Sequence, residues 1–240
     1  MADTPKALVW DEAGKRLFEA GVDHGVLYTR SKDGSYPKGV AWNGLTKVSE
    51  SPSGGETTTL WADNQKYLNL VSTEEFGCTI ECYMYPDEFA ACNGEATVAD
   101  GVTIGQQNRQ MFGLSYRTQV GNDVDGNDHG YKIHLVYGCF AKPSSKEYSS
   151  IDDSPDAATL SYEISTTPVN VSGFKPTATL VIDSTKTPTE KMEAIEKLLY
   201  GSDSKAAYLP LPDEVIETIG LTNTVLNTQA AGSNTRPVMS

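Results

Sequence analysis

Short segments in which apolar and polar residues alternate recur through this chain, and they constrain its fold more than any other feature. Leu160, Tyr162 and Ile164 are spaced two apart with polar residues between them, and 131–141 repeats the pattern. This period is typical of antiparallel strands that are covered on one face. Strand-like segments lie at 26–30, 56–61, 73–85, 110–120, 131–141, 158–166 and 177–183. The sequence therefore predicts a mainly β protein built as an antiparallel sandwich or rolled sheet.

One segment near the end of the chain has the period of a helix. Thr187-Pro188-Thr189-Glu190 reads as a capping box with proline at the first helical position. An apolar stripe follows, and Gly201 stands where the helix would end. This pattern predicts one helix flanking the sheet. A second short helix over 213–219 and a helical turn at 86–91 also fit the sequence.

Residues 31–55 are dense in glycine, proline and asparagine, which predicts a long loop or a hairpin with an extended tip. Long ordered loops in compact domains are usually functional or bind partners. We expect a single domain over 1–220 that carries this loop. The Thr- and Asn-rich residues 221–240 form either a frayed tail or an arm that orders on a neighbouring subunit.

The charge balance argues against tight nucleic-acid binding. The chain has 19 Lys and Arg against 32 Asp and Glu, a net charge of −13. Such a surface repels phosphate groups, although DNA can still pass nearby without binding. No stretch approaches the ~18 apolar residues of a membrane helix, and the first residues lack an export pattern. We therefore expect no membrane partner and a cytoplasmic protein.

The most metal-like cluster in the sequence lies between two strand-like segments, at Asp123, Asp125 and Asp128. Its spacing fails the EF-hand pattern, because the sixth position is not glycine and the twelfth is His134. A tight strand connection is the favoured interpretation, and a metal-dependent enzyme built on the cluster is the alternative. No catalytic, phosphate-binding or dinucleotide motif is present, so we expect neither enzymatic activity nor a cofactor.

The four cysteines are consistent with a reduced protein. Cys78 and Cys82 fall on the same face of one predicted strand, roughly 13 Å apart at the usual strand rise. That separation is too great for a disulfide, so we expect both thiols to pack in the core.

Ten short segments, in this order, carry a resemblance to a known family. They are LVWD at 8–11, GVDHGVLY at 21–28, YPKGVAWNG at 36–44, ADNQKY at 62–67, EFGCTIE at 75–81, YPDEF at 85–89, GND at 121–123, DHGYK at 128–132, GFKP at 173–176 and DST at 183–185. Through them the chain resembles the major tail proteins, or tail tube proteins, of long-tailed phages and prophages of Gram-positive bacteria. The resemblance spans about 8–212 and leaves 221–240 unmatched.

This resemblance implies a structural protein of the virion tail. Its copies would close into hexameric rings, and the rings would stack into a tube that encloses the channel for DNA ejection. The implied partners are other copies of the chain, the tape measure protein, and the tail terminator and distal tail proteins. DNA would pass through the lumen without sequence-specific binding.

Two sets of residues follow as expectations about such a tube. Glu81 and Glu163 lie on polar faces of predicted strands and are our expected lumen-facing residues, since an acidic or neutral lumen lets DNA slide. Contact between rings is expected from the 31–55 loop. Its contact residues would be Asp33, Tyr36, Trp42 and Asn43.

Two alternatives remain open at this point. The aromatic residues and the 31–55 loop also suit a monomeric β-sandwich binding module of a phage tip. The inner tube of a contractile tail shares the ring architecture, and a neighbouring sheath gene would distinguish it.

Overall fold

The computed structural model describes residues 7–148, 150 and 157–220, and this part of the chain is mainly β. It contains twelve strands and three helices, so the predicted antiparallel β class is confirmed. The strands are β1 Phe18–Thr29, β2 Lys38–Ala41, β3 Leu45–Glu50, β4 Thr57–Ala62, β5 Gln65–Val71, β6 Gly77–Cys82, β7 Ala96–Ala99, β8 Val102–Ile104, β9 Phe112–Asn122, β10 Gly126–Ala141, β11 Leu160–Thr166 and β12 Thr179–Asp183. The helices are α1 Phe89–Cys92, α2 Thr189–Tyr200 and α3 Pro212–Ile219.

Eight strands form the main sheet in the order β2-β1-β9-β10-β11-β6-β3, and β12 pairs with part of β10. The two end strands, β2 and β3, follow each other in the chain. The segment that connects them forms hydrogen bonds with both sides of the roll. The Trp42 N–H donates to Gly25 O (2.7 Å), and Gly44 O accepts the Tyr83 N–H (2.8 Å). The sheet therefore curls until its ends meet, which leaves an inner and an outer face.

The inner face encloses the larger apolar core. Side chains from β1, β6, β9, β10 and β11 point into it, and Phe89 of α1 fills its centre. The Phe89 ring lies 4.7 Å from Trp42, 4.9 Å from Tyr162 and 5.6 Å from Phe112, as measured between ring centroids. Aromatic rings at these distances and tilts pack favourably. α1 thus closes the interior of the roll.

A second core lies on the outer face, where α2 and α3 cover β1, β10 and β12. Ile133, Leu135 and Tyr137 point to these helices, while Val136 points to the inner core. The expected alternation is therefore correct, but the expectation of one polar face is wrong for this part of β10. Both faces are buried because helices cover one and the roll encloses the other.

The helix starts differently from the predicted capping box. Pro188 is the N-cap of α2, and no side chain in the described part of the chain caps the first turn. The preceding turn is held by Asp183, whose carboxylate accepts the Thr185 N–H (2.9 Å) and whose carbonyl accepts the Thr187 N–H (3.0 Å). The short helix α3 matches the 213–219 expectation and ends at Gly220, which has left-handed backbone.

The segment 31–55 is not one long loop. It contains β2 and β3, which pair with β1 and β6 at the seam of the roll. The density of glycine and proline suggested a loop, but Gly39 has a different role here. It lets the chain pass close to the Tyr28 ring, since a Cβ at residue 39 would lie only 2.8 Å from that ring.

All four cysteines are buried and unpaired, as expected. Burial raises the pKa of Cys78 and Cys92 to about 12, so these thiols stay protonated and serve as apolar packing. Among the described residues, no helix is long and apolar enough to cross a membrane.

Candidate assembly surfaces

The β4–β5 hairpin stands apart from the main sheet and forms a two-stranded sheet of its own. Its turn residues, Asp63 and Asn64, have φ of 51° and 63°. Two successive left-handed residues are the signature of the type I′ turn that suits tight hairpins. Six residue pairs connect the strands, from Thr57 opposite Val71 to Ala62 opposite Gln65. The pairing therefore runs the length of the hairpin, with one irregularity between Leu60 and Trp61.

This hairpin exposes apolar side chains on both of its faces. Trp61 and Tyr67 are each 70% exposed. Isolated two-stranded hairpins are marginally stable in water, and contiguous exposed apolar surface usually marks an interaction site. The hairpin is therefore a candidate interaction surface. Its other exposed apolar residues are Leu60, Leu68, Leu70 and Val71.

Two further segments share this character. The small β7–β8 hairpin forms another separate two-stranded sheet with exposed aliphatic residues. The segment that precedes β1 is apolar and exposed as well. The residues concerned are Val98, Val102 and Ile104 in the small hairpin, and Leu8, Val9, Trp10, Leu17 and Phe18 before and at the start of β1.

The outer face of β11, β6 and β3 is polar and lies away from the helix-covered core. Glu81 and Glu163 are both on it, as diagonal neighbours: Glu163 pairs with Thr79, two residues before Glu81. Each carboxylate has a lysine partner. Lys47 Nζ lies 3.1 Å from Glu81 Oε1, and Lys142 bonds Glu163. The local charge of this face is therefore balanced rather than acidic.

The four loop residues expected at ring contacts divide into two buried and two exposed. Tyr36 is 1% exposed and Trp42 is 3% exposed, so both are core residues and the expectation for their side chains is wrong. Trp42 Nε1 donates to Met84 O (3.1 Å) within the inner core. Asp33 caps its own turn by accepting the Ser35 N–H (3.0 Å), and Asn43 is exposed at the seam.

The aspartate cluster forms a tight β9–β10 connection. Asn122 pairs with Gly126, whose φ is 61°, and the three intervening residues make the turn. Asp123 Oδ1 accepts the Gly14 N–H (3.0 Å), while Asp125 Oδ2 lies 3.1 Å from His129 Nδ1. Hydrogen bonds from Asn122 and His129 lower the pKa of Asp125. Asp123 and Asp125 thus hold separate partners and Asp128 is exposed on β10. The described residues contain no group suited to a metal ion.

An open cleft of about 410 Å³ lies beside this turn. Its arginine and tyrosine already hold partners: Arg117 Nε and Nη2 contact Asp23 at 2.7 and 3.0 Å, and the Tyr131 hydroxyl donates to Glu196 (2.7 Å). Hydrogen bonding to Asp23 and the opposing effect of burial leave the pKa of Arg117 raised. This arrangement stabilises the fold and presents no nucleophile next to a base.

Sequence reasoning missed the β4–β5 hairpin as a unit. It identified a strand over 56–61 but not β5. The available signal was the Asp63-Asn64 pair between two strand-forming runs, since these residues tolerate the left-handed backbone of a tight turn.

Comparison with known proteins gives structural neighbours of low similarity. No protein-family model and no curated protein matches the chain. A chain from the sheath-tube complex of an extracellular contractile injection system, in its extended state, aligns with TM-score 0.37 and 10% identity over 72% of this chain and 93% of that one. The tube-terminating cap of the anti-feeding prophage aligns with TM-score 0.35 and 8% identity over 75% and 97%. Scores this low carry no argument about function.

Proposed function

We propose that this protein is the major tail tube subunit of a phage-type tail, a structural protein that assembles into hexameric rings and stacked tubes. The observation that carries the proposal is the β4–β5 hairpin, a projecting element with apolar side chains on both faces and no core of its own. A second copy of the chain is the covering surface that a homopolymer provides at every position.

The arrangement of the remaining surfaces supports the same proposal. The rolled sheet is a stable body with two cores, so the apolar residues on the hairpins and before β1 are not needed for its own folding. Their placement outside the main sheet suits contacts between subunits, within a ring or between rings. Asp33 and Asn43 remain candidates for such contacts because both lie at exposed turns.

The decisive experiment compares the wild-type chain with Trp61→Ser/Tyr67→Ser. Negative-stain electron microscopy and light scattering over a concentration series should show wild-type rings or tubes with six-fold end views. The double variant should stay monomeric with an unchanged circular dichroism spectrum. Phe174→Ser is the matched control, because Phe174 is 53% exposed but lies outside the hairpins.

Other outcomes would reject the proposal. Equal assembly by the double variant and the control would remove the hairpin from the interface. A wild-type protein that is monomeric at every concentration and binds host cell wall would instead favour the binding module of a phage tip.

We also propose that the face carrying Glu81 and Glu163 lines the lumen and that DNA passes it without specific binding. Glu81→Lys/Glu163→Lys would replace two balanced pairs with a cluster of lysines, which attracts the DNA backbone. Virions assembled with this variant should have normal tubes but slower DNA ejection. Reversing Glu193 and Glu217 on the helices is the matched control; an equal effect of both pairs would contradict the lumen assignment.

A further inference from the structure

Three side chains with complementary chemistry meet at the rim of the inner core: Asn93, Glu95 and Lys146. Asn93 directly follows α1 and is 7% exposed, while Lys146 comes from the segment after β10. Glu95 Oε1 accepts a hydrogen bond from Asn93 Nδ2 at 2.9 Å and another from Lys146 Nζ at 3.0 Å. A primary amine and a carboxamide are therefore held on a single carboxylate oxygen.

The surroundings of the triad suit an attack by the amine on the amide carbon. Arg109 Nη1 donates to Asn93 Oδ1 (3.1 Å) and is itself fixed by Ala141 O (3.0 Å). A cation at that oxygen polarises the carbonyl and stabilises the negative charge of a tetrahedral adduct. The Tyr85 hydroxyl donates to Glu95 Oε2 (3.2 Å), so the carboxylate is oriented from its other side.

The Tyr85 ring also positions the amine. Lys146 Nζ lies 5.3 Å from the centre of that ring, and its side chain is three-quarters covered. Partial burial places the nucleophile out of bulk water, where competing hydration is weaker. Each component that amide exchange needs is therefore present: a nucleophile, an electrophile, a proton carrier and an oxyanion partner.

We propose that Lys146 and Asn93 join through an intramolecular isopeptide bond, with Glu95 as the catalytic proton carrier. The Lys146 ammonium first gives a proton to Glu95, and the free amine attacks Asn93 Cγ to form the new C–N bond. Glu95 then passes this proton to Nδ2 and takes a second proton from Nζ. The adduct collapses, the old C–N bond breaks, and the departing ammonia takes up the second proton. The two protons lost by Nζ leave with the amide nitrogen as ammonium, so no oxidant or cofactor is needed.

The resting state of the triad is an ion pair. Burial lowers the pKa of Lys146, but hydrogen bonding and charge interaction with Glu95 raise it overall. Burial raises the pKa of Glu95, and the hydrogen bond and charge of Lys146 lower it overall. Proton transfer along the 3.0 Å hydrogen bond must therefore precede attack, which makes the reaction a slow, single event for each chain.

The bond would tie the turn after α1 to the segment after β10. The strands β7, β8, β9 and β10 lie between the two residues, so the link would close a loop that contains the centre of the main sheet. A covalent closure of this kind stabilises a fold chiefly by restricting the unfolded chain. This inference does not depend on the proposed function.

Intact mass spectrometry of the full chain under denaturing conditions tests the proposal. The wild-type mass should be lower than the sequence mass by one ammonia, whereas Lys146→Arg and Glu95→Gln should each retain the full mass. Lys47→Arg/Glu81→Gln is the matched control, since it alters an ion pair of similar length with no asparagine and should still lose ammonia. A wild-type chain with the full sequence mass would overturn the proposal.

Trypsin digestion identifies the site of the link. Without the bond, digestion releases separate peptides 67–109 and 133–146. With it, cleavage after Lys146 is blocked, and one branched peptide contains both segments. Asn93 precedes Gly94, so a backbone succinimide would also lose ammonia. That loss would persist in Lys146→Arg and give no branched peptide, and this result would equally overturn the proposal.

Discussion

The burial of Tyr36 predicts a specific loss of stability when its hydroxyl is removed. The Tyr36 hydroxyl accepts the buried N–H of Gly138 at 2.9 Å. Gly138 has φ of 58° and lies at the irregularity where β10 exchanges β12 for β11 as its partner. The Tyr36→Phe variant keeps the ring but leaves this donor without an acceptor. We expect a loss of about 1–3 kcal/mol in the free energy of unfolding.

A second tyrosine provides the matched control. Tyr162 is equally buried, with its ring packed on Phe89 and Tyr85, but its hydroxyl has no hydrogen-bond partner among the described residues. Tyr162→Phe removes a buried polar atom that makes no bond. We expect its unfolding free energy to be unchanged or higher by up to about 1 kcal/mol.

Urea unfolding followed by circular dichroism measures both variants. The measurement belongs in the assembly-deficient Trp61→Ser/Tyr67→Ser background, because subunit association would otherwise add to the apparent stability. The two Tyr→Phe variants should differ by at least about 1 kcal/mol at similar urea dependence. Equal effects would refute the argument that the Gly138 N–H depends on Tyr36.

Three other predictions follow from buried groups. Burial lowers the pKa of His134 below its ordinary 6.5, although the charges of Glu19 and Glu50 act in the opposite direction. The unfolded chain therefore binds a proton at this residue more readily than the folded protein does, so the free energy of unfolding should fall as pH drops through about 6.5. In the His134→Gln variant the free energy of unfolding should depend less on pH over that range. Gly138→Ala should destabilise by more than about 2 kcal/mol in thermal unfolding, because its Cβ would lie 2.2 Å from Thr167 O. Arg117→Lys should cost about 1 kcal/mol in urea unfolding through the loss of the two-point contact with Asp23.

The sequence correctly predicted the strands whose two faces lie in different environments. Leu160, Tyr162 and Ile164 point into the inner core while Glu163 is exposed, so their period of two survives in the sequence. The sequence did not predict β2 and β3, because both strands are short and contain or follow turn-forming residues. Such residues are found both where two backbone segments approach closely, as at the seam of the roll, and in loops, so only the structure distinguishes the two cases.

Aromatic residues in turn-rich segments show the same limit of local reasoning. Tyr36 and Trp42 looked like surface contacts because their neighbours are polar or flexible. Both are instead buried by elements distant in the chain, α1 around Trp42 and the outer core around Tyr36. Burial by remote segments leaves no periodic signal, so these two assignments required the structure. The same holds for Asn93 and Lys146, which meet across two hairpins.

The distribution of exposed apolar residues separates folding from assembly. The two cores take most of their side chains from the main sheet and the helices, whereas the exposed apolar residues concentrate in β4–β5, β7–β8 and the segment before β1. Substitutions in the cores should therefore lower stability and assembly together, because the interface depends on a folded body. Substitutions of Trp61 and Tyr67 should lower assembly alone. A hairpin variant that unfolded the monomer would show that the hairpin belongs to the protomer's own core, and the proposed tube would lose its main support.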